Sequence, residues 1–326
     1  MDTNASALPS RRSHPPPSSP GAELETPKVP VYYVSGVQDK DKGLVAIQPL
    51  PRGTVFLEER PLFTQDPGCT NSNVLSALAG CTRDEQREYF TLSNAYKSGG
   101  KVLPALAIFQ TNSFACDDSP QTAPSKQRRG IFLTASRINH SCTPNVGRIW
   151  DSGQQALVFR TLHPVQAGEE LCMNYVDVLG TREERNAHLA DYFGFQCACA
   201  VCALLGEELA QSDQRRATVR RLYDEVSMCL KEPTLGIRKA KLALRLLQEE
   251  RLALYEATFC FDAFQLCVLV SDFGNAKAWA RKAWHASCAS SGLDGPAART
   301  FKMYWANPGA HRLAGTLPRM VLSGPD

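Results

Sequence analysis

Cys197, Cys199 and Cys202 stand in a Cys-x-Cys-x2-Cys run. Three thiolates this close can face one centre from a tight loop and bind zinc at about 2.3 Å each. A structural zinc site takes four ligands, so the fourth must come from elsewhere in the fold. The alternative reading is buried, unreactive cysteine, which is how Cys229, Cys260 and Cys267 read within helical stretches. A second candidate is Arg137-Ile138-Asn139-His140-Ser141-Cys142-Thr143-Pro144-Asn145. Here polar, turn-forming residues follow an apolar strand, so the backbone turns sharply with several donors and acceptors on offer. Ala167-Gly168-Glu169-Glu170-Leu171 and Asn174-Tyr175 follow it; alone they read as a turn and a strand.

These segments need elements to hold them. Strand composition appears at residues 31–34, 44–47 and 54–57, punctuated by Gly43 and the Pro51-Arg52-Gly53 turn, as in a small antiparallel sheet. Helical spacing takes over at 73–92 and 103–114, and a polar stretch at 117–130 reads as an exposed loop. Strand texture returns at 130–133 and 156–160. A β-rich unit is thus interrupted by a helical insert. From Glu207 onward the pattern is helical, with Val219, Leu222, Tyr223 and Val226 on one face and Ala240, Leu244, Leu247 and Leu254 on another. Phe259, Phe261, Phe264, Trp279, Ala283 and Trp284 extend it, and Gly295-Pro296 opens a last helix. Such stripes read as packing between helices, not as a cofactor site.

Composition narrows the function classes. The chain has 326 residues, 43% hydrophobic and 21% charged, enough for two globular domains. A net charge of +3 gives no electrostatic case for gripping a nucleic-acid backbone. Residues 1–30 are rich in Pro, Ser and Ala and read as a mobile tail without the apolar core of a secretory signal. With no membrane span in the sequence, the expectation is an intracellular protein of the nucleus or cytoplasm. In a reducing compartment the 12 cysteines are thiols or metal ligands.

Taken together and in order, the segments resemble the SET family of protein lysine methyltransferases. The resemblance runs from Val31 to Cys202 and includes Asn139-His140-Ser141-Cys142, Gly168-Glu169-Glu170-Leu171, Tyr175, Asp191-Tyr192-Phe193-Gly194-Phe195 and the three cysteines. It is nearest to the SET-and-MYND branch. However, residues 63–130 carry only Cys69, Cys81 and Cys116, without the paired cysteines of a MYND finger. The first cofactor loop of the family usually reads Gly-x-Gly-Leu; here Asp41-Lys42-Gly43-Leu44 keeps only the second glycine.

The resemblance implies an α+β chain: a split SET core (31–62 and 131–195), a helical insert (63–130), a zinc-binding post-SET segment (196–206), an all-α C-terminal domain (207–312) and a flexible tail (313–326). It implies S-adenosylmethionine and zinc as cofactors, and a lysine-containing protein as substrate. Tyr175 would be catalytic and, with Phe193, would line the lysine channel. Lys40 would lie near the methionine carboxylate, with Lys42 and Gly43 along the cofactor. Asn112, Ser136, Asn139, His140 and Phe195 would complete the cofactor site. Cys142 would join Cys197, Cys199 and Cys202 on the metal. The other reading left open is a non-catalytic SET-fold scaffold that recruits partners through its helical domain. A zinc-dependent nucleic-acid module fits poorly, since no helix with clustered basic residues follows the cysteines.

Overall fold

A computed structural model describes residues 30–37, 40–96, 102–117 and 126–325. The expected N-terminal tail therefore lies, but for Pro30, outside the described residues, as does most of the polar loop after Asp117. Along the chain come strands β1 (Tyr32–Val37), β2 (Asp41–Ala46), β3 (Val55–Glu59) and β4 (Phe63–Gln65), then helices α1 (Asn71–Ala79), α2 (Arg83–Tyr89) and α3 (Pro104–Asn112). Six strands follow: β5 (Phe114–Ala115), β6 (Arg129–Ile131), β7 (Asn139–His140), β8 (Val146–Asp151), β9 (Ala156–Thr161) and β10 (Glu170–Met173). The rest is helical: α4 (Arg182–Phe193), α5 (Gly206–Met228), α6 (Pro233–Glu249), α7 (Glu256–Leu269), α8 (Phe273–Ser291) and α9 (Pro296–Ala306).

The strands form three small sheets, ordered β1-β2-β10-β7, β3-β9-β8 and β4-β6-β5. The first matters most for chemistry. β10 pairs antiparallel with β2 and parallel with β7, so Lys42-Gly43, Glu170 and Asn139-His140 come side by side from three distant stretches. Gly43 suits that closeness: a Cβ there would lie 2.7 Å from Glu170 Oε1 and 2.8 Å from Asn139 Nδ2, so both side chains would have to shift. Leu44, Phe56, Phe132, Ile138, Leu157, Phe159 and Leu171 fill the core beneath.

The helical insert expected over 63–130 also carries short strands. It opens on β4 and closes on β5 and β6, which form one sheet at its base. The helix expected over 73–92 is two helices broken at Gly80, each begun by a capping box, Thr70 with Asn73 and Thr82 with Glu85. Tyr89 anchors the pair to α3 through a hydroxyl bond to Ala105 O of 2.6 Å.

The C-terminal helices bury Leu222, Ala240, Leu247, Phe259, Phe264 and Trp279 in a core of their own, joined by Val178 and Leu179 from before α4. The stripe expected to continue to Leu254 stops with α6 at Glu249. The tail reading beyond Arg312 is also corrected. The N–H groups of Gly315, Leu317 and Met320 donate to the carbonyls of Val268, Leu269 and Val270 at 2.9, 2.9 and 3.2 Å. Carbonyls at the end of a helix have no partner within it, and here the last segment of the chain supplies one. Trp279 Nε1 donates to Ser323 O at 2.9 Å, and Leu322 is buried. Among the described residues no helix is long and apolar enough to cross a membrane.

Candidate active site

A cavity of about 730 Å³ opens between the first sheet, the end of α3 and the segment after α4. Lys40, Lys42, Asn112, Ser136, Asn139 and His140 line it, together with Tyr175, Phe193 and Phe195. Gly43 lies in the adjoining strand and is not part of the lining.

At one end the polar groups bind one another. Glu170 accepts from Lys40 Nζ at 2.7 Å and from Asn139 Nδ2 at 2.8 Å, and Asn139 Nδ2 also donates to Lys42 O at 3.0 Å. Lys40, expected near a cofactor carboxylate, thus has a carboxylate of the chain itself as its partner. Asn112 turns its amide back into the insert, donating to Ser93 O and Ile108 O, both at 2.7 Å. Its carbonyl accepts from Ser136 Oγ at 3.4 Å. Asn112 therefore ties residues 93 and 136 to the end of α3.

At the other end the groups are aromatic. The Tyr175 ring lies 4.9 Å from Phe193, 5.4 Å from His140 and 6.4 Å from Phe195. Its hydroxyl donates to Ile138 O at 2.8 Å, and burial pushes its pKa above the usual tyrosine value, so it stays protonated. Gly194 ends α4 at φ +72°, a left-handed turn that costs glycine little. That turn carries the chain from Phe193 back to Phe195, whose ring lies 6.3 Å from His140.

His140 links the aromatic end to the cysteines. Its Nδ1 accepts from the Tyr175 backbone N–H at 3.0 Å, so the ring proton sits on Nε2, 3.4 Å from Cys142 Sγ. Burial lowers its pKa to about 4, which leaves the ring neutral at pH 7.

Cys142, Cys197, Cys199 and Cys202 bring their sulfurs within 4.8 Å of one another, with Cys142 and Cys202 at 3.5 Å. Four sulfurs at about 2.3 Å from a tetrahedral centre lie about 3.8 Å apart, so the cluster fits a zinc ion. None of the twelve cysteines is in a disulfide. The surrounding charge also suits a metal thiolate. Arg185, fully buried, donates from Nε to Cys142 Sγ at 3.2 Å and reaches Cys202 Sγ at 3.7 Å. Arg216, also fully buried, donates to Cys142 O at 2.9 Å and Val178 O at 2.8 Å, and pairs with Glu250 at 2.7 Å.

Sequence reasoning missed Glu170 as the hub of the polar end and Arg185 and Arg216 as partners of the cysteine cluster. Glu170 stood in a quoted motif. Arg185 follows Glu183-Glu184 in a stretch without a motif of its own, and no spacing rule distinguishes it.

A family model for the SET domain matches residues 41–176. The histone-lysine N-methyltransferase set5 of Schizosaccharomyces pombe is 28% identical over 90% of this chain and 89% of its own length. A putative SET domain-containing protein of Acanthamoeba polyphaga mimivirus is 38% identical over 51% of this chain and 75% of its own. The N-lysine methyltransferase SMYD2-B of Xenopus laevis is 36% identical over 42% of this chain, which is 30% of its own length.

Proposed function

The chain belongs to the SET-domain family, and on that premise we propose that it moves a methyl group from S-adenosylmethionine to a lysine side chain of a protein. The observation that carries this reading is the position of Tyr175. It sits in one cavity with Phe193, Phe195 and His140 around its ring and with Lys42 and Asn139 in the same lining. A pocket of about 730 Å³ with polar groups at one end and rings at the other suits a nucleoside cofactor beside an aliphatic amine chain.

When bound, the cofactor supplies an electrophilic sulfonium methyl. Lys42, Asn139 and His140 would hold it along the first sheet, with Ser136 and Asn112 at the end of α3. Phe195 would cover its adenine, and Lys40, already held by Glu170, would share its ammonium with an arriving carboxylate. The chain's main chemical task is to present a neutral amine. A lysine of pKa about 10.4 costs roughly 4–5 kcal/mol to hold neutral at pH 7. The Phe193 and Tyr175 rings, 4.9 Å apart, exclude water from that amine and so lower its pKa. Tyr175 donates its own proton to Ile138 O, which leaves its oxygen lone pairs for the reacting groups. Most of the rate gain then comes from alignment and preorganised electrostatics. Cys142, Cys197, Cys199 and Cys202 would hold zinc, fixing the knot formed by the turn from Asn139 to Asn145, which carries Cys142, against the segment that carries Phe195.

Calorimetry with S-adenosylhomocysteine tests the reading. Wild-type protein should bind it with a micromolar dissociation constant, about −8 kcal/mol. Asn139→Ala should weaken binding by roughly tenfold or more, since a polar partner lining the cavity is lost. A wild-type protein that takes up no cofactor would end the catalytic reading.

A further inference from the structure

A second cavity, of about 550 Å³, lies at the junction of the β-rich core and the C-terminal helices. Arg52 and His163 reach it from core turns, Lys241 and Arg245 from α6, and Lys282 from α8, with Arg251 in the turn between α6 and α7. Among the described residues, five lysine and arginine side chains thus meet one carboxylate in the lining, Glu256. Arg52 takes up Glu256 at 2.8 Å, and Arg245 lies 3.9 Å from Glu249. Arg251 and Lys282 make no ion pair among the described residues. Cations gathered around a concave, partly desolvated space raise the local concentration of anions.

The backbone of Arg251 gives an independent reason to read this as a site. α6 ends in a paired hydrogen-bond cap: Leu252 N donates to Leu247 O at 2.8 Å and Arg251 N to Gln248 O at 3.2 Å. That motif sets the residue after the cap in the left-handed region, and glycine or asparagine usually occupies it. Here it is Arg251 at φ +55°. A long side chain at a position that favours glycine is strain of the kind that gathers at functional sites. The conformation is also held from outside, because His163 Nε2 donates to Arg251 O at 2.9 Å. Burial lowers the His163 pKa, so the ring serves here as a neutral donor.

We infer that this cavity binds a small anion carrying two or more phosphates, held by Arg251, Lys282, Arg52 and Arg245 between the core and the helices. Guanidinium forks match phosphate oxygens two at a time, and the space exceeds what a single phosphate fills. The site is separate from the methyl-transfer cavity and does not depend on that reading.

Inorganic pyrophosphate is the probe, titrated calorimetrically into the full chain at constant ionic strength. The expected result is saturable one-to-one binding that citrate does not reproduce. Arg251→Gly separates recognition from folding, since it deletes the guanidinium and relieves the left-handed strain while keeping the carbonyl that His163 holds. Its melting temperature should be unchanged or raised while pyrophosphate affinity falls roughly tenfold or more. Lys282→Gln should also weaken binding, without change in the melting temperature. No heat of binding, equal affinity in Arg251→Gly, or equal binding of citrate would each overturn the assignment. If ADP binds as tightly as pyrophosphate, the phosphates alone carry recognition, as proposed; tighter binding of adenosine than of pyrophosphate would overturn it.

Discussion

In the core between the C-terminal helices, Phe259, Phe264, Trp279 and Ala280 are fully buried among leucines and alanines. Around the cysteine cluster the equally buried groups are Arg185, Arg216 and His140. The first region is held by area removed from water, which tolerates small shifts at each contact. The second is held by a few charge-assisted bonds at fixed distances, and an unpaired charge there is costly. Change in the helices should therefore be felt as stability, whereas change at the cluster should be felt as loss of metal and cofactor.

The largest expected effect lies at the cluster. A four-thiolate zinc site contributes on the order of 10 kcal/mol of apparent binding free energy. Metal analysis should find about one zinc per chain from this ligand set. Cys199→Ser should release it and weaken S-adenosylhomocysteine binding while far-UV circular dichroism keeps its helical signal. Cys142→Ser is the sharper variant, because its sulfur comes from the knot and not from the Cys197–Cys202 loop. Unchanged zinc affinity in that protein would remove the link between metal and cofactor.

Phe264→Ala comes next and probes the opposite region. Deleting a fully buried phenylalanine costs about 3–5 kcal/mol. Urea denaturation should show that loss, while zinc content and cofactor affinity of the folded protein stay near wild type. A parallel fall in all three would mean that the two regions are not separable.

Arg185→Met tests whether charge at the cluster is functional. It keeps length and burial but removes the donors to Cys142 and Cys202. Partners of metal ligands typically contribute 10–100-fold to metal affinity. Chelator competition should show zinc affinity weakened by about that factor, and in the cobalt-substituted protein the sulfur-to-metal absorption band should shift. An unmoved band with unchanged affinity would make Arg185 a packing residue only.

Asp262 provides the smallest test. Within the apolar layer, burial raises this carboxyl to a pKa of about 6. The native state then binds a proton between about pH 4 and pH 6 that the unfolded chain does not, so this group adds stability on acidification through pH 6. Above pH 6 that gain is lost, and the buried charge is a penalty. Asp262→Asn should raise stability at pH 7 by about 1–2 kcal/mol and flatten the pH dependence below 6. Urea midpoints measured at pH 5 and pH 7 read it directly.

What the sequence showed, and what it hid, follows the same division. The helical stripes of α5 through α8 were legible because burial repeats every turn. The three-cysteine loop was legible because its ligands are local. Of the strands at the base of the insert, β6 overlaps the strand texture at 130–133, but β4 and β5 were not legible, since they have three and two residues, too few for an alternation to show. The ordered segment after Arg312 was hidden for another reason: its backbone completes the end of α7, and no side-chain pattern records that. Lys40 was expected to face a cofactor, but its pairing with Glu170 depends on a register between β2 and β10 that sequence does not specify. Arg185 and Arg216 drew no reading, because arginine in a helix normally lies in water and no sequence pattern marks a buried one.

The account rests on one chemical event, and the most direct measurement is methyl transfer itself. Purified protein, methyl-labelled S-adenosylmethionine and a protein extract should give labelled methyllysine after acid hydrolysis. Tyr175→Phe removes one hydroxyl and little volume, so it should fold and bind cofactor while turnover falls about 10²–10³-fold. Label in lysine that depends on Tyr175 is the predicted result. No transferred label from a protein that binds the cofactor, or label undiminished in Tyr175→Phe, would contradict it.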